Sequence, residues 1–117
     1  MRRPERLAEA LREEIIEIVG YELEDPRVQS VTVTDVQVSD NLRDAKVFVM
    51  IAGSEAEIKA ALNALQHAAT YIRQQVALSL NLNHAPRIHF ARDTVEEKAI
   101  RVEELLEKLE IEKEEDS

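Results

Sequence analysis

Residues 54–92 run SEAEIKAALNALQHAATYIRQQVALSLNLNHAPRIHFAR, a long helical pattern that gives way to a short strand. Ser54 and Glu57 have capping-box spacing, which starts a helix. Ile58, Leu62, Leu65, Ala69, Ile72, Val76 and Leu80 then keep helical phase without interruption. One unbroken helix over that span would be about 40 Å long, too long for so small a domain, so a break is expected. The periodicity does not place it. Asn81 to Pro86 reads as a loop. From Arg87 to Arg92 the period changes to two, with Ile88 and Phe90 on one side and Arg87, His89 and Ala91 on the other. This is a strand whose apolar side should face the helices.

Upstream, residues 4–23 read as a helix. Pro4 suits its first turn, and Leu7, Leu11, Ile15 and Ile18 recur at helical spacing. Gly20 and then Asp25-Pro26 end it, because proline disfavours helical geometry in the residue before it. Val28 to Ser39, rich in Val and Thr, and residues 45–52 read as two strands. Ser39, Asp40 and Asn41 supply turn chemistry between them, so the pair is expected to be an antiparallel hairpin. Downstream, Thr94 and Glu97 repeat the capping-box spacing, and Val95, Ala99, Val102, Leu106 and Leu109 mark a last helix. Residues 112–117 read as a polar tail.

The chain has 117 residues, room for one domain, and 44% are apolar. With two Phe, two Tyr and no Trp, the core must be aliphatic, with Phe48 and Phe90 expected in it. No cysteine is present, which excludes disulfides and thiolate chemistry and fits a reducing compartment. No apolar run is long enough to span a bilayer, and the N-terminus turns acidic before any hydrophobic region, unlike a signal peptide. The expectation is a soluble, cytoplasmic protein.

A net charge of −9 argues against a nucleic-acid partner, but its distribution does not. Residues 1–57 hold 7 basic and 13 acidic residues, and residues 93–117 hold 4 and 11. Residues 58–92 contain Lys59, Arg73, Arg87 and Arg92, all three histidines, and no Asp or Glu. Burial alone explains missing charge, but not why every surviving charge is positive.

The order helix, strand, strand, helix, helix, strand, helix resembles a type II KH-like domain. Local sequences sharpen the likeness to the ribosome-binding factor A family. They are Asp25-Pro26-Arg27-Val28, Val31 to Ser39 leading into Asn41 to Val49, Ala68 to Arg73, Leu80 to Pro86 with the strand Arg87-Ile88-His89-Phe90, then Asp93, Ile100, Leu105 and Leu106. Together they cover about residues 3–109. The resemblance implies an α+β domain over residues 3–111, a three-stranded sheet with helices packed on one face, and an acidic flexible tail over 112–117. It further implies a cytoplasmic, non-catalytic assembly factor that binds ribosomal RNA of the small (30S) subunit late in maturation and assists 16S processing and folding. Such a protein is a monomer and needs no cofactor, metal, membrane or small-molecule substrate. The family's Ala-x-Gly helix kink aligns with Ala68-Ala69-Thr70, which places the break within about two residues of Thr70. Thr70 stands where the family has glycine, and its hydroxyl is expected to cap the second helix. A second departure is Asn83, where the family carries a basic residue.

RNA contact needs cations for phosphates together with stacking aromatics or shape matching, and four aromatics make a stacking platform improbable. The candidate contacts are Arg73, His84, Arg87, His89 and Arg92, with Arg2, Arg3 and Arg6 as a mobile arm. Taken singly, each arginine is as readily a solvated group or an ion-pair partner. Tyr71 reads as a helix-packing residue. His67, His84 and His89 have neither cysteine nor carboxylate neighbours in their segment, so a metal site is not expected. The five serines show no nucleophile elbow, and no glycine-rich phosphate loop exists. The alternative function is a protein–protein adaptor or homodimer built on the last helix, whose apolar stripe has coiled-coil spacing.

Overall fold

The computed structural model describes residues 2–116. Helix α1 (Arg3–Glu17) begins with proline in its first turn and ends in a widened turn over Ile18–Glu22. Leu23 is extended (φ −81°, ψ 120°), and the Asp25 carboxylate accepts the Arg27 N–H at 2.9 Å to start a short 3₁₀ turn, Pro26–Val28. Strands β1 (Val31–Val38) and β2 (Asp44–Ile51) form the expected antiparallel hairpin, with a bulge between Val33 and Asp35. Helices α2 (Glu55–His67) and α3 (Ala69–Ser79) lead to β3 (Arg87–Arg92), which pairs parallel with β2. The sheet order is β1-β2-β3, and α4 (Val95–Asp116) closes the chain.

Alternation along the central strand gives the sheet two faces. Ala45, Val47 and Val49 meet Val33, Val36 and Ile88 from the flanking strands on one face. Leu11 and Ile15 of α1, Leu65 of α2, and Ile72 and Val76 of α3 cover that face and are fully buried. Each such aliphatic side chain contributes about 1.5–3 kcal/mol by leaving water. Phe90 touches this core, as its place in the strand requires, but remains partly exposed.

The break between α2 and α3 falls at Ala68, two residues before Thr70. Its φ of −83° and ψ of −5° lie where any residue can go, so no glycine is required. The Ala68 N–H still donates to the Ala64 carbonyl at 3.0 Å while its own carbonyl accepts from Ile72 at 2.9 Å. The capping role expected of Thr70 is not observed. Ala68 occupies the cap position, no side chain caps α3, and the exposed Thr70 lies one residue inside the helix. Because one backbone unit serves both helices, a hydroxyl has little left to satisfy.

Two features depart from the expected arrangement. Phe48 is buried but belongs to the opposite face of β2, outside the main core. The helical layer on the core face consists of α1, α2 and α3, whereas α4 is fastened to the other face through Arg101. That guanidinium stacks 3.8 Å from the centre of the Phe48 ring and donates to Asp35 at 2.9 Å and Asp93 at 3.0 Å. The Thr34 hydroxyl donates to the other oxygen of Asp93. The α4 apolar residues Val102, Leu105, Leu106 and Leu109 stay about half exposed, and the helix continues through residues 112–116. The radius of gyration is accordingly 15.1 Å, against about 13 Å for a rounder chain of this length.

Arg101 is 8% exposed, so Arg101→Ala should cost about 3 kcal/mol at pH 7, as for a buried pair stripped of one partner. Burial is the largest influence on Asp93 and raises its pKa, but the Thr34 and Arg101 hydrogen bonds and nearby positive charge outweigh it and hold the carboxyl below 3.8. A carboxyl lowered on folding stabilises above its unfolded value and ceases to do so as pH falls through its folded one. The penalty in urea unfolding should therefore shrink between pH 7 and pH 3. A pH-independent loss, or one below about 1 kcal/mol at pH 7, would show that Arg101 is not the fastening.

Candidate nucleic-acid interface

Since β2 and β3 are parallel, their first residues lie side by side. Asp44 is opposite Arg87 and Lys46 is opposite His89, all on the face turned away from α1–α3. Arg87 Nε lies 2.9 Å from Asp44 Oδ1, and Arg87 Nη2 donates to Oδ2 at 3.2 Å. His89 Nε2 reaches Oδ1 at 3.0 Å, and it must carry the proton there, since a carboxylate only accepts. These bonds, His89 first and then Arg87, hold the Asp44 carboxyl below its ordinary value. Arg43 is exposed beside them, its carbonyl accepting the Arg87 N–H at 2.8 Å. The Lys46 ammonium sits 5.2 Å from the Phe48 ring centre. Arg87 and His89 thus bond one carboxylate at one end of the sheet, with Arg43 and Lys46 flanking Asp44 in the chain.

The other candidates are distributed around this group. Arg73 Nε donates to the Ala85 carbonyl at 2.9 Å, pinning α3 to the loop that feeds β3 and carries the exposed His84. Arg92 lies at the far end of β3, roughly 16 Å from Arg87 by strand rise, and contacts both oxygens of Glu55, at 3.3 and 3.1 Å. It does not join the cluster. Arg2 is tied to Asp40 in the β1–β2 turn at 3.1 Å, and Arg3 and Arg6 are exposed on the ordered α1. Of the kink residues, Ala69 is buried, Ala68 partly so and Thr70 exposed, with Tyr71 41% exposed beside them.

The acid-free segment therefore finds its carboxylates elsewhere. Asp44 and Glu55 lie outside residues 58–92 but pair with cations inside it, and a count along the chain does not see cross-strand partners. Conversely, Arg43 and Lys46 are the basic residues that charge counting passed over. Lys46 alternates with the buried Ala45 and Val47, so the period of two already marked it as outward. Among the described residues, no group of three or more His, Asp or Glu is placed to hold a metal, and no helix is long and apolar enough to cross a membrane.

The sequence profile described as "Ribosome-binding factor A" matches residues 3–106. A ribosome-binding factor A of Thermomicrobium roseum is 48% identical over 114 residues, covering 97% of this chain and 88% of its own. The crystal structure of ribosome-binding factor A from Thermus thermophilus superposes with a TM-score of 0.68 at 26% identity, covering 78% of this chain and 97% of that one. A homology model of the Thermus thermophilus protein, fitted into the cryo-EM map of a 30S complex, gives a TM-score of 0.57 at 30% identity, with coverage of 76% and 89%.

Asp44 sets the free charge of the cluster, which gives a direct test. Asp44→Asn should tighten binding to a small-subunit RNA fragment at least about twofold in filter binding and steepen the salt dependence, because Arg87 and His89 lose their internal counter-charge. Weaker binding would show instead that Asp44 is needed to position them.

Proposed function

As the chain belongs to the ribosome-binding factor A family, we propose that it binds the small ribosomal subunit late in maturation and assists 16S RNA processing and folding without bond chemistry. The observation that carries this reading is the family match over nearly the whole chain, joined by likeness to a relative fitted into a 30S complex. The cationic cluster is the local feature that supports RNA as the contact. An acidic molecule repels phosphate overall, so binding must rest on a patch that overrides the global field. Arg43, Lys46, Arg87 and His89 form such a patch, with Arg73 and His84 beside the loop that leads into it. Arg92 and the α1 arginines would then be peripheral. Such a factor works by binding one RNA conformation more tightly than another, which shifts the population toward the mature state. In this reading residues 3–111 act as a monomeric domain in the cytoplasm.

The adaptor or homodimer reading keeps one observation of its own, the half-exposed apolar residues of α4. Sedimentation mass separates the two, since the assembly-factor reading expects the monomer mass of 13.3 kDa.

Lys46→Glu with Arg87→Glu should weaken binding to purified small subunits at least about tenfold, equivalent to about 1.4 kcal/mol, and flatten its salt dependence. Lys59→Glu with Lys113→Glu, two exposed residues that do not line the groove beside the patch, makes the same change in net charge and should have little effect. Equal losses would make net charge the determinant, and no loss from the first pair would place the RNA surface elsewhere.

A further inference from the structure

Strand β1 is an edge strand, and one side of its backbone has no strand neighbour among the described residues. The Ser39 N–H donates to Asp44, which fixes the phase of the ladder: Asp35 and Gln37 bond inward to β2, while Val36 and Val38 turn their main-chain groups outward. The outward Val36 N–H is taken by its neighbour Asp35, at 2.9 Å from Oδ1. The Val36 carbonyl and both main-chain groups of Val38 are left. They open into a groove of about 1170 Å³ between α1 and α4. Six consecutive residues, Thr34 to Ser39, line it. Side chains on one face of a strand could supply only alternate positions, so the backbone edge itself forms the wall. Two further polar atoms in this groove are buried without a partner among the described residues, Glu5 Oε2 on the α1 side and Arg101 Nη1 on the α4 side.

We propose that this groove docks an extended peptide segment, which adds to β1 as a further strand. Its backbone meets the free groups of Val36 and Val38, a basic side chain reaches Glu5, and a carbonyl or carboxylate reaches Arg101. Strand addition of this kind draws affinity from main-chain bonds and specificity from alternate side chains. The groove exceeds the usual size for a small molecule. The free Val36 and Val38 carbonyls call for the N–H donors of a peptide backbone, which phosphate oxygens lack, and the groove wall offers both carboxylates (Glu5, Glu9) and cations (Arg12, Lys98) to alternate side chains of a peptide. The assignment does not rest on the assembly role, but the groove shares Asp44, Lys46 and His89 with the basic cluster, so a docked peptide and RNA would meet at that end.

A phage library of random peptides of about seven residues, panned on the full chain, tests it. Enriched peptides should carry a Lys or Arg, and should bind Val38→Pro at least about fivefold more weakly than Val38→Ala, the order expected for one lost main-chain hydrogen bond. Val38→Pro removes the outward N–H without touching the β1–β2 ladder, a position where edge strands tolerate proline, and Val38→Ala accounts for lost packing. Glu5→Gln, which leaves β1 intact, should weaken the same peptides at least about threefold, so the assignment remains testable even if the proline variant folds poorly. No enrichment, or peptides indifferent to both Val38→Pro and Glu5→Gln, would overturn it.

Discussion

Parallel pairing of β3 with β2 dictates what the rest of the chain must do. An antiparallel neighbour is reached by a tight turn, but a parallel one requires the chain to travel back along the sheet before the next strand begins. Here α2 and α3 make that return, and they have to lie on a face of the sheet to do so. Their crossing commits Ala45, Val47 and Val49 to the interior, and α1 completes the cover. It also sets the starts of β2 and β3 side by side. Arg43 and Lys46 could not otherwise meet Arg87 and His89, because they lie far apart in sequence. The basic cluster is thus a consequence of how the sheet is wound.

The same geometry explains how an acidic chain keeps a basic corner. Asp44 neutralises part of the corner's charge while Arg43 and Lys46 make no ion pair among the described residues, and Asp40 and Glu55 neutralise Arg2 and Arg92 elsewhere. Exposed ion pairs of this sort contribute little to stability, median about 0–1 kcal/mol. Their larger effect is on what an incoming anion finds, namely arginines already held in an orientation by an exchangeable partner. Phosphate must displace or share that partner, which makes recognition depend on shape as much as on charge.

Much of this could be read from the sequence, for reasons that differ by element. The strands and helices followed from periods of two and 3.6, and the caps at Ser54 and Thr94 from local chemistry. The interruption near residue 70 was expected from length and placed by family likeness. It was realised by the backbone of Ala68 and not by the Thr70 hydroxyl, a difference no propensity distinguishes. Phe48 was harder. The run Val47 to Ile51 is apolar on both faces, so alternation could not say which side of the sheet holds the main core. What covers Phe48 is a cation from the last helix, and nothing local to either residue announces the pairing. The candidate site was half legible for a similar reason, with Lys46 carrying a signal in its strand parity and Asp44 revealed as a partner only by the register.

The Arg101 fastening bears on how the chain ages and varies. Beyond it, residues 102–113 of α4 leave their apolar side chains about half exposed, so their helical hydrogen bonds open without disturbing the sheet. Proteases would clip there first and leave an intact domain behind. Mutational drift in those turns meets little resistance from folding, and the chain can lengthen or shorten at that end freely.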